Sequence, residues 1–187
     1  MDCVFCAIVE RKRRAEIVHE VNFVLARNPR SSAQSASSAF PNYFTPHEPM
    51  PTKIATFALG CFWSAEETFR TMPGVVSTAV GYMERAEVVQ VTFDSAQIAY
   101  ESLLTIFWDN HNPTAADPGG LERSEVFCHD DDQRVIALAS KRALDASGKY
   151  RKPIATPISS AGVFTCAPED QQQYYLKQGI SSCEVNH

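Results

Sequence analysis

An apolar run stops at a glycine and a cysteine in the segment Lys53-Ile54-Ala55-Thr56-Phe57-Ala58-Leu59-Gly60-Cys61-Phe62-Trp63. The part before Gly60 is short and apolar, which predicts a buried strand. From Phe62 to Met72 the apolar residues recur at helical spacing, and Pro73-Gly74 ends the pattern. We therefore expect a strand followed directly by a helix, with Cys61 at the junction between them.

The rest of the chain alternates between strand and helix patterns. Two strand patterns, 75–82 and 87–93, are separated only by residues 83–86, which predicts a tight hairpin. Further elements are expected in this order: a helix over 100–108, a short strand over 125–128, a helix from an N-cap at Asp130 to near Gly148, a strand over 154–158 and a helix over 168–177. Strands and helices mixed in this way indicate an α+β fold, in which helices pack on a mixed sheet in a two-layer sandwich.

Composition and charge exclude several classes of protein. The chain has 187 residues, of which 44% are hydrophobic, and a formal net charge of −5. A nucleic-acid-binding surface needs an excess of positive charge, so we expect no nucleic-acid partner. No apolar run approaches the ~18 residues of a membrane helix. Charged residues from Glu10 to Arg14 interrupt the region where a secretory signal would be apolar. We expect a soluble, cytoplasmic monomer with no membrane partner.

A change of composition divides the chain. Residues 28–52 contain five prolines and a serine-rich stretch, and such a segment buries too little apolar area to fold by itself. We predict a short N-terminal appendage over 1–27, a Ser/Pro-rich linker over 28–52 and a domain over 53–187.

Cys61 is the candidate nucleophile among six cysteines, which without a secretory signal are not expected to form structural disulfides. The N–H groups and the dipole at a helix start favour a thiolate and lower the pKa of a thiol placed there. Phe62 and Trp63 beside it form an apolar wall that suits a small group such as a methyl. A buried structural cysteine covered by core aromatics is the alternative that position alone leaves open.

The motif around Cys61 is part of a longer resemblance. The residues that carry it are Ala55–Trp63, Glu66, Phe69, Pro73-Gly74-Val75, Gly81-Tyr82, Ala86–Val89, Asp94, Tyr100, Phe107-Trp108, His111–Thr114, Arg123-Ser124, His129-Asp130, Glu169-Asp170, Gln173 and Tyr175-Leu176. Over residues 53–183, in this order, the chain resembles the peptide-methionine (S)-S-oxide reductases, the methionine sulfoxide reductase A family.

This resemblance implies an oxidoreductase that returns methionine S-sulfoxide, free or in proteins, to methionine and so repairs oxidised proteins. It implies that Cys61 attacks the sulfoxide sulfur, that Glu87 supplies a proton, and that Phe62 and Trp63 hold the methyl group. Cys61 is then left as a sulfenic acid, which Cys183 converts into a disulfide. Thioredoxin or another dithiol reduces that disulfide, and no metal or other cofactor is implied. An idle thiol near the chain end is the alternative for Cys183.

Three further residues are expected to have no catalytic role. Cys128 and Cys166 are expected to be buried or incidental. Glu66 is expected to be a carboxylate in the first turn of the helix, where it would complement the helix dipole.

The chain departs from the family pattern at two places. The family has a long Gly-rich loop with a tyrosine that contacts the sulfoxide oxygen, whereas only residues 83–85 stand between Tyr82 and Ala86. A second active-site tyrosine is replaced by Glu122, which near Glu87 would raise a carboxyl pKa. Loss of one hydrogen-bond donor to the sulfoxide oxygen lowers the rate about a hundredfold, so we expect reduced activity. A noncatalytic protein of the same fold that binds oxidised methionine or a partner is the alternative.

The N-terminal appendage has a separate resemblance. Cys3-Val4-Phe5-Cys6 and Ala15–Glu20 resemble the opening strands of histidine-triad nucleotide hydrolases, although the His-x-His-x-His motif of those proteins is absent. Cys3 and Cys6 supply at most half of a zinc site. A zinc-binding or nucleotide-binding module is therefore a second alternative.

Overall fold

The computed structural model describes residues 52–115, 117 and 119–180. The predicted appendage, the predicted linker up to residue 51, and Cys183 lie outside these residues, so the division of the chain into three parts stays a prediction. The elements are β1 (Thr52–Leu59), α1 (Phe62–Arg70), β2 (Val75–Met83), β3 (Ala86–Asp94), α2 (Tyr100–Asp109), β4 (Ser124–Cys128), α3 (Asp131–Ala146), β5 (Ile158–Ser160), β6 (Thr165–Cys166), a 3-10 helix (Glu169–Gln171) and α4 (Tyr174–Lys177).

A six-stranded mixed sheet organises the described residues, in the order β5-β4-β1-β3-β2-β6. β4 and β5 run parallel, and the other neighbouring strands run antiparallel. β1 lies inside the sheet, where Phe57 pairs with Val89 on β3 and with Val126 on β4. The predicted α+β class with a mixed sheet is confirmed.

Neighbouring side chains of β1 belong to two different cores, as the alternation of a strand requires. Phe57 is fully buried, and its ring stacks on Phe69 of α1 and Phe107 of α2, with ring centroids 5.1 and 5.4 Å apart. Ala58 belongs to a smaller cluster with Phe127, against which Phe164 packs. The first core fixes α1 on the sheet and thereby fixes the position of the segment between β1 and α1.

The hairpin between β2 and β3 turns through two residues, Glu84 and Arg85. Both have a positive φ, 48° and 67°, which is the combination that a type I′ turn requires. The guanidinium of Arg123 donates to the carbonyl oxygen of Glu84 at 2.9 Å. The predicted tight hairpin is confirmed, and the turn is held against the segment that precedes β4.

The first three helices, α1, α2 and α3, follow the predicted pattern with small differences in length. α1 ends at Arg70 rather than Met72, and Asp130 caps α3 by accepting a hydrogen bond from the N–H of Gln133 at 2.7 Å. Among the described residues no helix is long and apolar enough to span a membrane.

The predicted strand over 154–158 is wrong for most of its length, because β5 begins only at Ile158. The N–H groups of Ala155 and Thr156 donate to the carbonyl oxygen of Pro113 in a loop, so they do not pair with a neighbouring strand. Side-chain alternation alone could not reveal that competing acceptor.

The predicted helix over 168–177 is also wrong, since it is split into the 3-10 helix and α4. Gln172 lies between the two in an extended conformation. Its side-chain amide bonds both the N–H and the C=O of Val80 on β2, at 2.8 Å each. This tertiary contact outweighs the local tendency to form one helix.

We predict that Phe57→Ala lowers the free energy of unfolding by about 3–5 kcal/mol, because it empties the centre of the aromatic core. Ile54→Ala on the same strand is the matched control, since Ile54 is 40% exposed and should cost much less. Urea denaturation of both variants measures the difference. Equal losses would contradict this description of the core.

Candidate active site

Cys61 lies where the sequence predicts it, between the end of β1 and the first residue of α1. Gly60 has a φ of 91°, a conformation that residues with a side chain rarely adopt, and this allows the chain to turn sharply into the helix. Cys61 is the N-cap residue, and its carbonyl oxygen accepts the first helical hydrogen bond from Ala65 at 3.2 Å. Its thiol is half-buried among the groups that start the helix.

The pKa of the Cys61 thiol is raised, which contradicts the expectation that the helix start lowers it. Burial is the largest cause, because it penalises the charged thiolate. The N–H groups of Trp63 and Ser64 act in the expected direction and favour the thiolate, but Glu87 and Glu122 add negative charge that opposes it. The helix start therefore moderates the cost of forming a thiolate without removing it.

Glu87 projects from β3 toward the first turn of α1. One carboxylate oxygen accepts a hydrogen bond from the N–H of Phe62 at 3.0 Å. Its backbone N–H donates to the carbonyl oxygen of Leu121 at 2.7 Å, which brings the segment before β4 next to it. Burial raises the pKa of Glu87, the Phe62 N–H opposes that rise, and the charge of Glu122 adds to it. The prediction that Glu122 lies near Glu87 and raises a carboxyl pKa is confirmed.

Three functional atoms come together at this point. The Sγ of Cys61 and one carboxylate oxygen each from Glu87 and Glu122 lie within 4.8 Å of one another. Cys61 and Glu87 are half-buried, and Glu122 is exposed. A divalent cation could be held by such a group in principle, but solvent-exposed carboxylates often converge without one, and we assign no metal here.

Four aromatic rings lie together at the start of α1, and we call this group the aromatic wall; it includes Phe62 and Trp63, which directly follow Cys61. The two rings lie 6.2 Å apart, with Phe62 buried and Trp63 half-buried. Tyr174 of α4 stacks on Trp63 with ring centroids 4.1 Å apart, and Tyr82 of β2 lies 5.7 Å from Phe62. Neither tyrosine is predicted from the sequence to belong to the site, although Tyr82 stands in a matched motif and Tyr174 lies beside one. The wall is therefore built from three separate elements.

Glu66 is not the first-turn carboxylate that the sequence predicts. It lies in the second turn of α1 and is buried, with an exposed fraction of 1%. Its carboxylate accepts hydrogen bonds from the hydroxyl of Thr78 at 3.0 Å and from the N–H of Gln173 at 2.6 Å. Burial raises its pKa against these two bonds. Glu66 thus joins the C-terminal segment, including Tyr174, to the helix that carries the thiol.

The two other cysteines of the described residues differ in exposure. Cys128 is buried at the end of β4 and Cys166 is exposed on β6, and neither observation contradicts the expectation that they are buried or incidental. The side-chain amide of Gln172 contacts the Sγ of Cys166 at 3.4 Å.

A cleft of about 600 Å³ opens beside Tyr82, which pairs with Glu87 across β2 and β3. Its lining combines the short hairpin turn with the segment before β4 and the chain after β5. The lining residues are Tyr82, Glu84, Arg85, Gly119, Leu121, Val163 and Thr165. The two turn residues of the hairpin, Glu84 and Arg85, thus form part of the wall of this cleft.

A half-buried thiol at a helix start, beside a carboxyl with a raised pKa, defines a cysteine-dependent enzyme on an α+β fold. The family model described as peptide methionine sulfoxide reductase matches residues 53–86 and 83–187. The peptide methionine sulfoxide reductase MsrA of Methanoculleus marisnigri is 45% identical over 70% of this chain and 93% of its own length. The MsrA of Geobacter sulfurreducens is 43% identical, with 69% and 93% covered. The chain belongs to the peptide methionine sulfoxide reductase family.

Solved structures agree with this assignment. Mxr1 from Saccharomyces cerevisiae in its reduced form matches with a TM-score of 0.65 and 26% identity, over 75% of this chain and 93% of that chain. Mxr1 in complex with Trx2 matches with a TM-score of 0.54 and 28% identity, over 71% and 91%. The two stretches that match the family model meet at residues 83–86, which is the hairpin turn. The family pattern is thus interrupted where the sequence lacks the long loop.

We predict that Glu66→Ala lowers the free energy of unfolding by about 1–3 kcal/mol, because two hydrogen-bond donors lose their buried acceptor. Hydrogen exchange should show faster exchange of the Gln173 amide in this variant. Glu101→Ala, an exposed glutamate of α2, is the control and should leave that amide unchanged. An unchanged Gln173 amide in Glu66→Ala would contradict the assigned role.

Proposed function

We propose that this chain reduces methionine S-sulfoxide, free or in proteins, to methionine, with Cys61 as the nucleophile and Glu87 as the proton donor. The observation that carries the proposal is the approach of the Cys61 Sγ and a Glu87 carboxylate oxygen to within 4.8 Å. A sulfoxide sulfur bound to the thiol would place its oxygen beside that carboxyl. Membership of the reductase family supports the same reaction.

The chemistry follows from the charge that develops on the sulfoxide oxygen. Attack of the Cys61 sulfur on the electrophilic sulfoxide sulfur drives electrons onto that oxygen, which must then gain a proton. The raised pKa of Glu87 favours its protonated form, which is the form that supplies this proton. Glu87 accepts the thiol proton and returns it to the oxygen.

The reaction balances without an external cofactor in its first half. The sulfur–sulfur bond formed in the attack and the sulfur–oxygen bond of the substrate both break as the oxygen is transferred, and a sulfur–oxygen bond forms on Cys61. The substrate sulfur gains two electrons and leaves as methionine, whereas the Cys61 sulfur loses two electrons and becomes a sulfenic acid. The thiol proton ends on the sulfenic oxygen, so Glu87 is regenerated.

The aromatic wall is the proposed binding surface for the methyl group of the substrate. Trp63 is half-buried and presents apolar ring surface, Phe62 is buried beside it, and Tyr174 covers one face of Trp63. The indole N–H of Trp63 donates to the side chain of Gln171 at 3.2 Å, which limits rotation of the ring. A fixed apolar surface favours the methyl side of a sulfoxide over its polar oxygen side.

Regeneration of Cys61 needs a second thiol and a reductant, and we propose Cys183 and thioredoxin for these roles. Tyr174 stacks on Trp63 beside Cys61, and Cys183 follows nine residues later along the chain. Nine extended residues span at most about 30 Å, which is ample to reach the thiol. A related protein, Mxr1, has been crystallised in complex with Trx2.

Reduced turnover remains our prediction for this chain, because it lacks the two tyrosines of the family pattern that would donate hydrogen bonds to the sulfoxide oxygen. One such donor contributes about a hundredfold in rate. Retention of Cys61, Glu87 and the aromatic wall argues against a noncatalytic binding protein. A cytoplasmic location and a monomeric state also stay predictions.

We predict that the purified chain reduces a peptide containing methionine S-sulfoxide with dithiothreitol as reductant, and that Cys61→Ser abolishes this activity. Cys166→Ser is the matched control, because Cys166 is exposed and should be dispensable. Product methionine is measured by chromatography. Activity that survives in folded Cys61→Ser would contradict the assigned nucleophile, and rates that equal those of the intact relatives would contradict the predicted reduction.

Cys183→Ser should lose turnover supported by thioredoxin but keep turnover supported by dithiothreitol, which can reduce a sulfenic acid directly. The comparison uses both reductants with the same substrate, and Cys166→Ser again serves as control. If Cys166→Ser loses the thioredoxin-supported rate and Cys183→Ser keeps it, Cys166 is the resolving thiol and the assignment of Cys183 fails.

A further inference from the structure

Residues 171–174 hold Trp63, the ring that the proposed function places against the substrate methyl group, by two of its surfaces. At one end of this segment the side-chain oxygen of Gln171 accepts a hydrogen bond from the indole N–H at 3.2 Å. At the other end the ring of Tyr174 stacks on the indole, with centroids 4.1 Å apart and planes inclined by 14°. The indole cannot turn about its side-chain bonds without losing both contacts.

The two residues between these contacts anchor the segment to the sheet and to α1. The side-chain amide of Gln172 bonds the N–H and the C=O of Val80 on β2, at 2.8 Å each. The N–H of Gln173 donates at 2.6 Å to the carboxylate of Glu66 on α1, which is 1% exposed. The position of Tyr174 is therefore set by tertiary contacts and not by its own four-residue helix.

The backbone of Gln173 has a left-handed conformation, with φ 49° and ψ 41°. A residue with a side chain rarely adopts this conformation, because its Cβ crowds the backbone. Such a conformation persists where the surrounding contacts impose it, and here the hydrogen bond to the buried Glu66 does so. The turn of the chain at Gln173 brings the next residue, Tyr174, onto Trp63.

The stack is the contact that fixes the plane of the indole. Both rings are half-buried, and their separation is at the short end of the range for aromatic pairs, so their faces overlap. Phe62 and Tyr175 lie farther from Trp63, at 6.2 and 6.5 Å, and their rings are tilted or edge-on to it. Neither of these neighbours replaces Tyr174 as a parallel support.

We infer that Tyr174 is a positioning residue of the proposed reaction, which acts through Trp63 and sets the preference of the site for methyl sulfoxides over sulfoxides with larger alkyl groups. The inference rests on the proposed function and deepens it by a residue and a substrate preference. Without the stack, the indole can turn into the space that Tyr174 leaves. The ring surface is then poorly placed for a methyl group, and a larger group finds room.

The first test measures turnover of a methionine S-sulfoxide peptide by Tyr174→Ala, with dithiothreitol as reductant. We expect KM to rise about five- to tenfold, which matches the strength of an aromatic pair. The value of kcat should stay within about twofold of that of the intact chain, because Cys61 and Glu87 are untouched. A fall in kcat at unchanged KM, or kinetics equal to those of the intact chain, would overturn the inference.

Two further variants separate the ring from the rest of the helix. Tyr174→Phe keeps the stacking ring and should keep the KM of the intact chain. Leu176→Ala removes an exposed side chain from the same helix and should change neither constant. A Tyr174→Phe variant that behaves like Tyr174→Ala also overturns the inference, since the hydroxyl and not the ring would then be responsible.

The second test uses ethionine S-sulfoxide, which carries an ethyl group in place of the methyl group. A site fitted to a methyl group rejects one extra methylene by about tenfold or more in kcat/KM. We expect this ratio of the two substrates to fall at least about threefold in Tyr174→Ala and to be kept in Tyr174→Phe. A merely structural defect lowers the amount of active protein and leaves the ratio unchanged, so an unchanged ratio overturns the inference.

A third measurement does not need turnover. In a Cys61→Ser, Trp108→Phe background Trp63 is the one remaining tryptophan, and its fluorescence reports binding of the methionine S-sulfoxide peptide. The Kd should rise about five- to tenfold when Tyr174→Ala is added. If the intact chain shows no turnover, the proposed function fails, and this titration still decides the inference. Weaker binding with Tyr174→Ala supports it, and equal binding overturns it.

Discussion

The hydrogen bond from the Phe62 N–H to the Glu87 carboxylate, 3.0 Å long, is the contact on which the site depends. It joins the first turn of α1 to β3, two elements that are separate in sequence, and it fixes the carboxyl beside the thiol of Cys61. The core below it makes this geometry possible, because Phe57 stacks on Phe69 and so seats α1 on the sheet. Buried aromatic packing thus sets the distance between the Cys61 thiol and the Glu87 carboxyl.

The electrostatics of the site follow from the same arrangement. Burial and neighbouring carboxylates raise the pKa of both Cys61 and Glu87, although the N–H groups at the helix start lower both. Glu122 is the neighbouring carboxylate that the two groups share, since its oxygen lies within 4.8 Å of the thiol sulfur and of a Glu87 oxygen. The short hairpin turn lines a cleft beside Tyr82.

The sequence allows the central elements and the position of Cys61 between β1 and α1 to be predicted, because their signals are local, whereas the role of Cys61 as nucleophile rests on the family resemblance. An apolar run that ends at Gly60 marks β1, and helical spacing after Cys61 marks α1. Other features depend on contacts between distant residues and left no such signal. The amide of Gln172 on Val80 splits the last predicted helix, and the N–H of Gln173 makes Glu66 a buried anchor. The raised pKa of Cys61 likewise required knowing how deeply the thiol is buried.

The most direct test of the account is a single turnover with no reductant present, on a variant in which Cys61 is the only cysteine. The protein is mixed with a methionine S-sulfoxide peptide and a reagent that traps sulfenic acids, and Cys61 is analysed by mass spectrometry. The account predicts one trapped sulfenic acid on Cys61 for each methionine formed, with the S epimer only. Methionine formed while Cys61 stays unmodified, or equal reaction of the R epimer, would contradict it.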